Sequence, residues 1–383
     1  MINSSTNFFN NTFNIKQVSG NTMKKIIKLF DPYVSKQDEI ELIKTLRSHF
    51  WASGSGVGNV SKFENQFKKY IRSNDCIAVN SGTSALNLAL SLIDIKNKEV
   101  ILPSLSFVST AHAIVINGGI PVFADIEPQT LCIDPNEIEK LITRKTIAIL
   151  PVHFAGLPCD LKKIQNIAEK HNLTVIEDAA HAAGATYNNK KIGSHGTAIC
   201  FSFHPVKNLA MPTGGIISIN HKKHKQFRKR LLARRWCGIT DSINSEYDVK
   251  ELGWNYYMNE FSAVIGLIQL KKLNKLNGIR KNIAKFYDKQ INVEHKIPFD
   301  KRCSYHLYWI CVKNRNQFRK ELSNRGIETG THYKPIHKMS FYKSTNKILN
   351  TEKVAREIVT IPIHPNLTQS QLDYIIESIN KFV

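Results

Sequence analysis

Between about residues 75 and 220 the chain alternates short, almost continuously apolar runs with longer stretches of helical periodicity. The apolar runs are Cys76 to Val79, Val100 to Pro103, Pro121 to Ala124, Thr146 to Val152, Thr174 to Ile176, Ala198 to Phe203 and Gly215 to Ile219. Runs this short, with no polar face, predict strands buried on both sides of a mostly parallel sheet. Thr83 to Leu92 and Leu161 to His171 read as helices between them, which is the βαβ signature of an α/β fold. Phe261 to about Asp288 reads as one long amphipathic helix with lysines on one side. The pattern divides the chain into three parts. Residues 1–23 are a polar, Asn-rich extension expected to be disordered, residues 24–265 a large domain, and residues 266–383 a linking helix with a smaller α+β domain.

In such sheets ligands bind beyond the carboxyl ends of strands, and three polar groups fall there. Asp178 ends one apolar run, and Lys207 follows another in Phe203-His204-Pro205-Val206-Lys207-Asn208. Ser81-Gly82-Thr83 opens a helix directly after a third. A lysine amine is a poor nucleophile at neutral pH unless its pKa is lowered or it is condensed with an aldehyde. A carboxylate nearby is the complementary part, because it can hold a pyridine nitrogen protonated. Lysine with aspartate therefore suggests pyridoxal phosphate. The Ser81-Gly82-Thr83 turn serves either as a plain helix cap or as a phosphate cradle of free N–H groups. Ser202 adds a hydroxyl within reach of the same phosphate, and Phe107 either fills the core or stacks on a cofactor ring. Gly214-Gly215 permits close passage of the backbone or simply makes a turn.

Charge modifies this picture little. The 53 basic and 31 acidic residues give a formal +22, which favours anionic partners. The lysines are spread along the chain, and no zinc-finger spacing, RNP-like motif or long basic tail accompanies them, so nucleic acid is not the expected partner. No apolar run reaches the roughly 18 residues of a membrane span. Seven scattered cysteines without C-x-x-C pairs point to reduced thiols and a cytoplasmic setting. Gly54-Ser55-Gly56-Val57-Gly58 lacks a preceding strand and the G-x-G-x-x-G spacing, so it does not read as a dinucleotide loop. His332…His337 and His221…His224 have metal-like spacing without cysteine or carboxylate partners, so no metal site is expected.

Taken together, Lys62-Phe63-Glu64, Ser81-Gly82-Thr83, Pro151-Val152-His153-Phe154-Ala155-Gly156, Glu177-Asp178-Ala179-Ala180-His181-Ala182, Phe201 to Asn208 and Gly214-Gly215 resemble the DegT/DnrJ/EryC1/StrS family over roughly residues 28–365. These are fold type I, pyridoxal-phosphate-dependent nucleotide-sugar aminotransferases. The resemblance implies that Lys207 forms the internal aldimine and Asp178 pairs with the pyridinium nitrogen. It implies that Gly82, Thr83 and Ser202 hold the phosphate, that Phe107 stacks on the ring, and that His181 lies near the phenolic oxygen. It places Asn255, in Gly253-Trp254-Asn255-Tyr256-Tyr257, against the phosphate of a second subunit, hence a homodimer with shared sites. His332 and Tyr333 become substrate contacts, the 54–58 loop lies near the sugar-nucleotide pocket, and His153 is structural. Tyr257 stands where that segment usually carries arginine. The implied reaction moves an amine, with glutamate as donor, to a nucleotide-diphosphate keto-deoxy sugar for glycan synthesis. A branch with histidine in place of the lysine dehydrates its sugar, and Lys207 argues against it. A non-catalytic cofactor-binding regulator is the reading from another class, and the intact Lys207, Asp178 and Ser202 disfavour it.

Overall fold

The computed structural model describes residues 26–243, 246–342 and 347–383, so the expected extension over residues 1–23 lies outside the described residues. At the centre is a seven-stranded sheet. Its spatial order is Asp75–Val79, Gly215–Ile219, Ala198–Ser202, Thr174–Asp178, Thr146–Ile149, Glu99–Pro103, Ile120–Ala124. All seven apolar runs are therefore strands. The pairs from Ala198–Ser202 across to Ile120–Ala124 are parallel. Gly215–Ile219 alone runs antiparallel to both neighbours. The expected strand through Val152 stops at Ile149, because Pro151 has no N–H to give the ladder. Leu150 N–H still bonds Ile101 O at 2.7 Å, and Pro151 O accepts from Asp178 N at 2.9 Å. Those bonds carry the chain past the end of the sheet and extend the neighbouring strand to Asp178.

The long helix is Glu260–Gln290, capped by the Asn259 side chain, which accepts from Ser262 N at 2.8 Å. Beyond it, Tyr308–Cys311 and Ile358–Ile361 form a two-stranded antiparallel sheet, and Gln369–Phe382 closes the chain as a helix behind a Thr368/Gln371 capping box. Trp309, Ile375 and Ile379 share one apolar cluster with Tyr287 on the long helix and with Phe63, Phe67, Phe201 and Phe203. No helix among the described residues is long and apolar enough to cross a membrane, and all seven cysteines are free thiols.

A buried charge network holds the first strand in place. Glu64, on the helix Asn59–Ile71, accepts from Ala78 N at 2.8 Å and pairs with Arg235 at 2.9 Å and Arg228 at 3.2 Å. Arg228 continues to Asp75 at 2.8 Å. Arg235 also donates to Ala78 O at 3.0 Å and Ser55 O at 3.1 Å, which fixes the 54–58 loop. Gly56, at φ 71°, is needed there: a Cβ would fall 2.4 Å from Arg235 Nη2. This glycine loop thus packs on Arg235 and does not line this chain's central cavity. Removing one partner of a buried ion pair strands the other. Glu64→Ala should therefore cost about 3–5 kcal/mol of stability, measured by urea denaturation, while Glu64→Gln should cost less.

Candidate active site

The sheet's register assembles the site. Gly215 pairs with Val79 on one side and Ser202 on the other, so two strand ends meet across one residue. A Cβ at Gly215 would lie 2.4 Å from Ser81 O, and one at Gly82 would lie 2.6 Å from Ser202 Cβ. The absence of both side chains lets the helix Gly82–Leu90 start directly against Ser202. Ser81 is extended, at φ −163°, and its hydroxyl accepts from Ser84 N at 3.1 Å. The N–H groups of Gly82 and Thr83 then have no partner inside the helix, an arrangement that suits an anion.

Lys207 is held by a turn in which its N–H donates to His204 O at 2.8 Å. Its amine enters a cavity of about 360 Å³ lined also by Gly82, Thr83, Phe107, Asp178, His181, Ser202, His332 and Tyr333. Burial pushes the amine down from 10.5 to about 8, against an opposing pull from Asp178. Among the described residues its one hydrogen-bond partner is His306 Nε2, at 3.4 Å.

Asp178 is buried at the end of its strand. One carboxylate oxygen accepts from Ala180 N at 3.0 Å and the other from the Thr110 hydroxyl at 2.9 Å. Thr110 in turn bonds Ser106 at 2.8 Å. Burial raises the Asp178 pKa, and those two bonds together with Lys207 oppose the rise. Behind it, Cys159 N–H donates to His153 Nδ1 at 3.1 Å, leaving Nε2–H to donate to Glu177 at 2.9 Å. His153 is fully buried and does not line the cavity.

His181 Nε2 meets the Tyr333 hydroxyl at 3.0 Å, and its Nδ1 is buried without a partner. His332 Nδ1 bonds Thr360 at 2.7 Å. Burial holds His181 well below its usual value and His332 down at about 4, with Lys207 adding to both, so both rings are neutral at pH 7. Phe107 is 56% exposed, with its ring 6.1 Å from that of Tyr333, so it does not fill the core. Asn255 stands apart. It is exposed, its carbonyl accepts from Asn80 at 3.3 Å, and it does not line the cavity of its own chain. Tyr257 is half-buried and also outside.

Three residues of the cavity or its support had no signal in the sequence: Phe30, Thr110 and His306. Thr110 sits in the first turn of the helix Ser109–Ile116, where hydroxyls are ordinary caps. His306 lies in Ser304-Tyr305-His306-Leu307, a buried stretch with no motif-like spacing. No cluster of three or more metal-ligating side chains occurs among the described residues.

Pyridoxal phosphate fits these residues. The glycine-lined helix start and Ser202 suit a phosphate, Asp178 suits a pyridinium, Lys207 suits an aldehyde, and the unpartnered His181 Nδ1 is available to a polar group on the ring.

Residues 32–380 match the DegT/DnrJ/EryC1/StrS aminotransferase family. The chain is 35% identical over 376 residues to the uncharacterized protein MJ1066 of Methanocaldococcus jannaschii, covering 92% of this chain and 97% of that one. The fold matches Spr1654 of Streptococcus pneumoniae, a candidate sugar aminotransferase, with TM-score 0.88 and 27% identity over 93% and 97% of the two chains. Spr1654 has been solved in apo, pyridoxal phosphate and pyridoxamine phosphate forms. Helicobacter pylori PseC, an aminotransferase involved in the biosynthesis of pseudoaminic acid, matches with TM-score 0.87 and 29% identity over 94% and 99%. With its family match spanning nearly the whole chain and its neighbours sharing the complete fold, this protein belongs to the DegT/DnrJ/EryC1/StrS family of pyridoxal-phosphate-dependent aminotransferases.

Proposed function

We propose that the enzyme transfers an amino group from glutamate to a nucleotide-diphosphate keto-deoxy sugar, at carbon 4 of a 4-keto-6-deoxy hexose, in cytoplasmic glycan synthesis. The observation that carries the reading is the convergence of the Lys207 amine, the Asp178 carboxylate and the Gly82–Ser202 phosphate cradle in one cavity. The sugar relatives and the chain's excess of positive charge support a diphosphate-linked substrate.

When bound, pyridoxal phosphate supplies an aldehyde that condenses with amines and an electron-poor ring that accepts the electron pair of a carbon losing its proton. Gly82 and Thr83 N–H groups and the Ser202 hydroxyl anchor its phosphate. Asp178, whose two oxygens accept from Thr110 and Ala180, would pair with the ring nitrogen and favour its protonated form. Lys207, once its amine is free, takes the proton from the donor's α-carbon and later returns one to the sugar carbon. Phe107 would cover the ring, His181 would hold its phenolic oxygen, and His332 and Tyr333 would contact the sugar. The exposed Asn255 serves the phosphate of a second copy, in a homodimer.

Lys207→Ala should abolish cofactor trapping by borohydride and lower transamination by about 10²–10⁴-fold or more. Trapped cofactor on any other residue would sink the assignment. Asp178→Asn should keep the trapping but lose most of the turnover. A panel of nucleotide keto sugars, read for the carbon that gains nitrogen, tests the substrate. For the dimer, mixing inactive Lys207→Ala with inactive Asn255→Ala chains should restore about a quarter of the activity, because half the dimers are mixed and each has one intact shared site. Unshared sites would restore none.

Burial of Lys207 also predicts a pH effect on the cofactor-free protein. The unfolded lysine stays protonated up to 10.5 and the folded one only to about 8, so between those values the unfolded chain binds more protons and stability rises with pH. Below pH 8 the lysine costs about 3 kcal/mol, so Lys207→Met should be the more stable protein at pH 7. The gap should close as pH approaches 10, which urea melts across that range will show.

A further inference from the structure

Among the described residues His306 is the one hydrogen-bond partner of the Lys207 amine, and the reaction as derived above gives it no role. Its backbone N–H donates to Ala155 O at 2.8 Å, which ties it to the loop behind Asp178. The ring is wedged between Phe30, stacked at 5.7 Å, and His181, at 4.4 Å between centroids. Nε2 faces Lys207 Nζ at 3.4 Å, and Nδ1 has no partner. Asp178, by contrast, lies beyond ion-pair distance of the amine among the contacts of the described residues and acts on it only through space. A lysine side chain has four rotatable bonds and, left without a partner, samples many orientations. One acceptor at the wall of the cavity removes most of that freedom.

We propose that His306 is a positioning residue for Lys207: its neutral Nε2 accepts a hydrogen bond from the lysine ammonium whenever the amine is not covalently engaged, holding it aimed at the reacting carbon. This rests on the aminotransferase reading above. His306 is suited to the task because it cannot compete for the proton. Burial, with Lys207, His181, Arg280 and His332 around it, holds the ring well below its ordinary range. The remaining titratable groups facing Lys207 are Asp178, which favours the ammonium, and His181, His204 and His332, which feel its charge and are pushed toward neutrality.

An acceptor stabilises the ammonium, so its loss must lower the lysine pKa. The test uses the full-length, cofactor-free protein, in which the amine is free, with acetic anhydride as probe and Lys207 acetylation read by peptide mass spectrometry against pH. The parent midpoint should lie near 8. His306→Phe keeps a flat ring between Phe30 and His181 but removes the acceptor, and should move the midpoint down by about one pH unit. His306→Gln restores an acceptor and should bring it back. An unchanged or raised midpoint in the Phe variant overturns the proposal, as does a Gln variant that matches Phe. In the loaded enzyme, His306→Phe should lower kcat about tenfold or more with little change in the donor's KM, because the lysine rather than the binding is misaligned. A fall in affinity alone would mark a merely structural residue. Failure of the aminotransferase reading would show separately, as absence of borohydride-trapped cofactor on Lys207 in the parent protein.

Discussion

The close approach at Gly215 is the constraint on which the site depends. An antiparallel strand inserted between two others brings the end of Asp75–Val79 and the end of Ala198–Ser202 to the same residue. With any side chain at that residue the backbone of Ser81 would have to retreat, since the clash is with a carbonyl and not with the end of a flexible chain. The helix start at Gly82 would then separate from Ser202 and from the turn that carries Lys207. Position 82 repeats the requirement from the other side, against Ser202 itself. Two missing side chains thus set how closely the start of the helix Gly82–Leu90 approaches Ser202.

The rigidity behind that contact comes from charge as well as packing. Glu64, Arg235, Arg228 and Asp75 form a chain of buried or half-buried ions that clamps the edge strand, the 54–58 loop and the helix His224–Arg235 together. Such networks add little net stability compared with an apolar replacement. Their value is geometric, because each backbone carbonyl and N–H that Arg235 and Glu64 bond has one place to go. The His153–Glu177 pair does the same for the loop under Asp178. In both cases buried polar bonds hold a strand end that the site uses.

Much of this was legible from residue pattern. The seven apolar runs, the long helix and the polar residues just after strand ends follow from periodicity, and the lysine, aspartate and glycine-serine turn follow from chemistry. What pattern could not supply was contact between segments far apart in sequence. Thr110 and Asp178 are 68 positions apart, and Lys207 and His306 are 99. Nothing local distinguishes Thr110 from a helix cap or His306 from a core histidine. The antiparallel insertion of Gly215–Ile219 was equally silent, since a doubly buried strand reads the same in either direction. Pro151 was the one visible cue that a predicted strand would stop early.

The electrostatics of the cavity explain why its charges do not touch. Had Lys207 and Asp178 formed a direct ion pair, each would have fixed the other's charge, and the amine would have been held protonated far above neutral pH. Kept apart, Asp178 lends only a partial offset, burial dominates, and the amine comes down to about 8, within reach of a base that works near neutrality. The groups that line the cavity around the amine must then be polar enough to bind yet carry no charge of their own. Neutral imidazoles meet that condition, and His181, His306 and His332 are all buried enough to stay neutral beside a cation. A carboxylate in any of those places would raise the lysine, and an aliphatic side chain at position 306 would remove its hydrogen-bond partner. Histidine, usually read as a titrating group, works here because the fold prevents it from titrating.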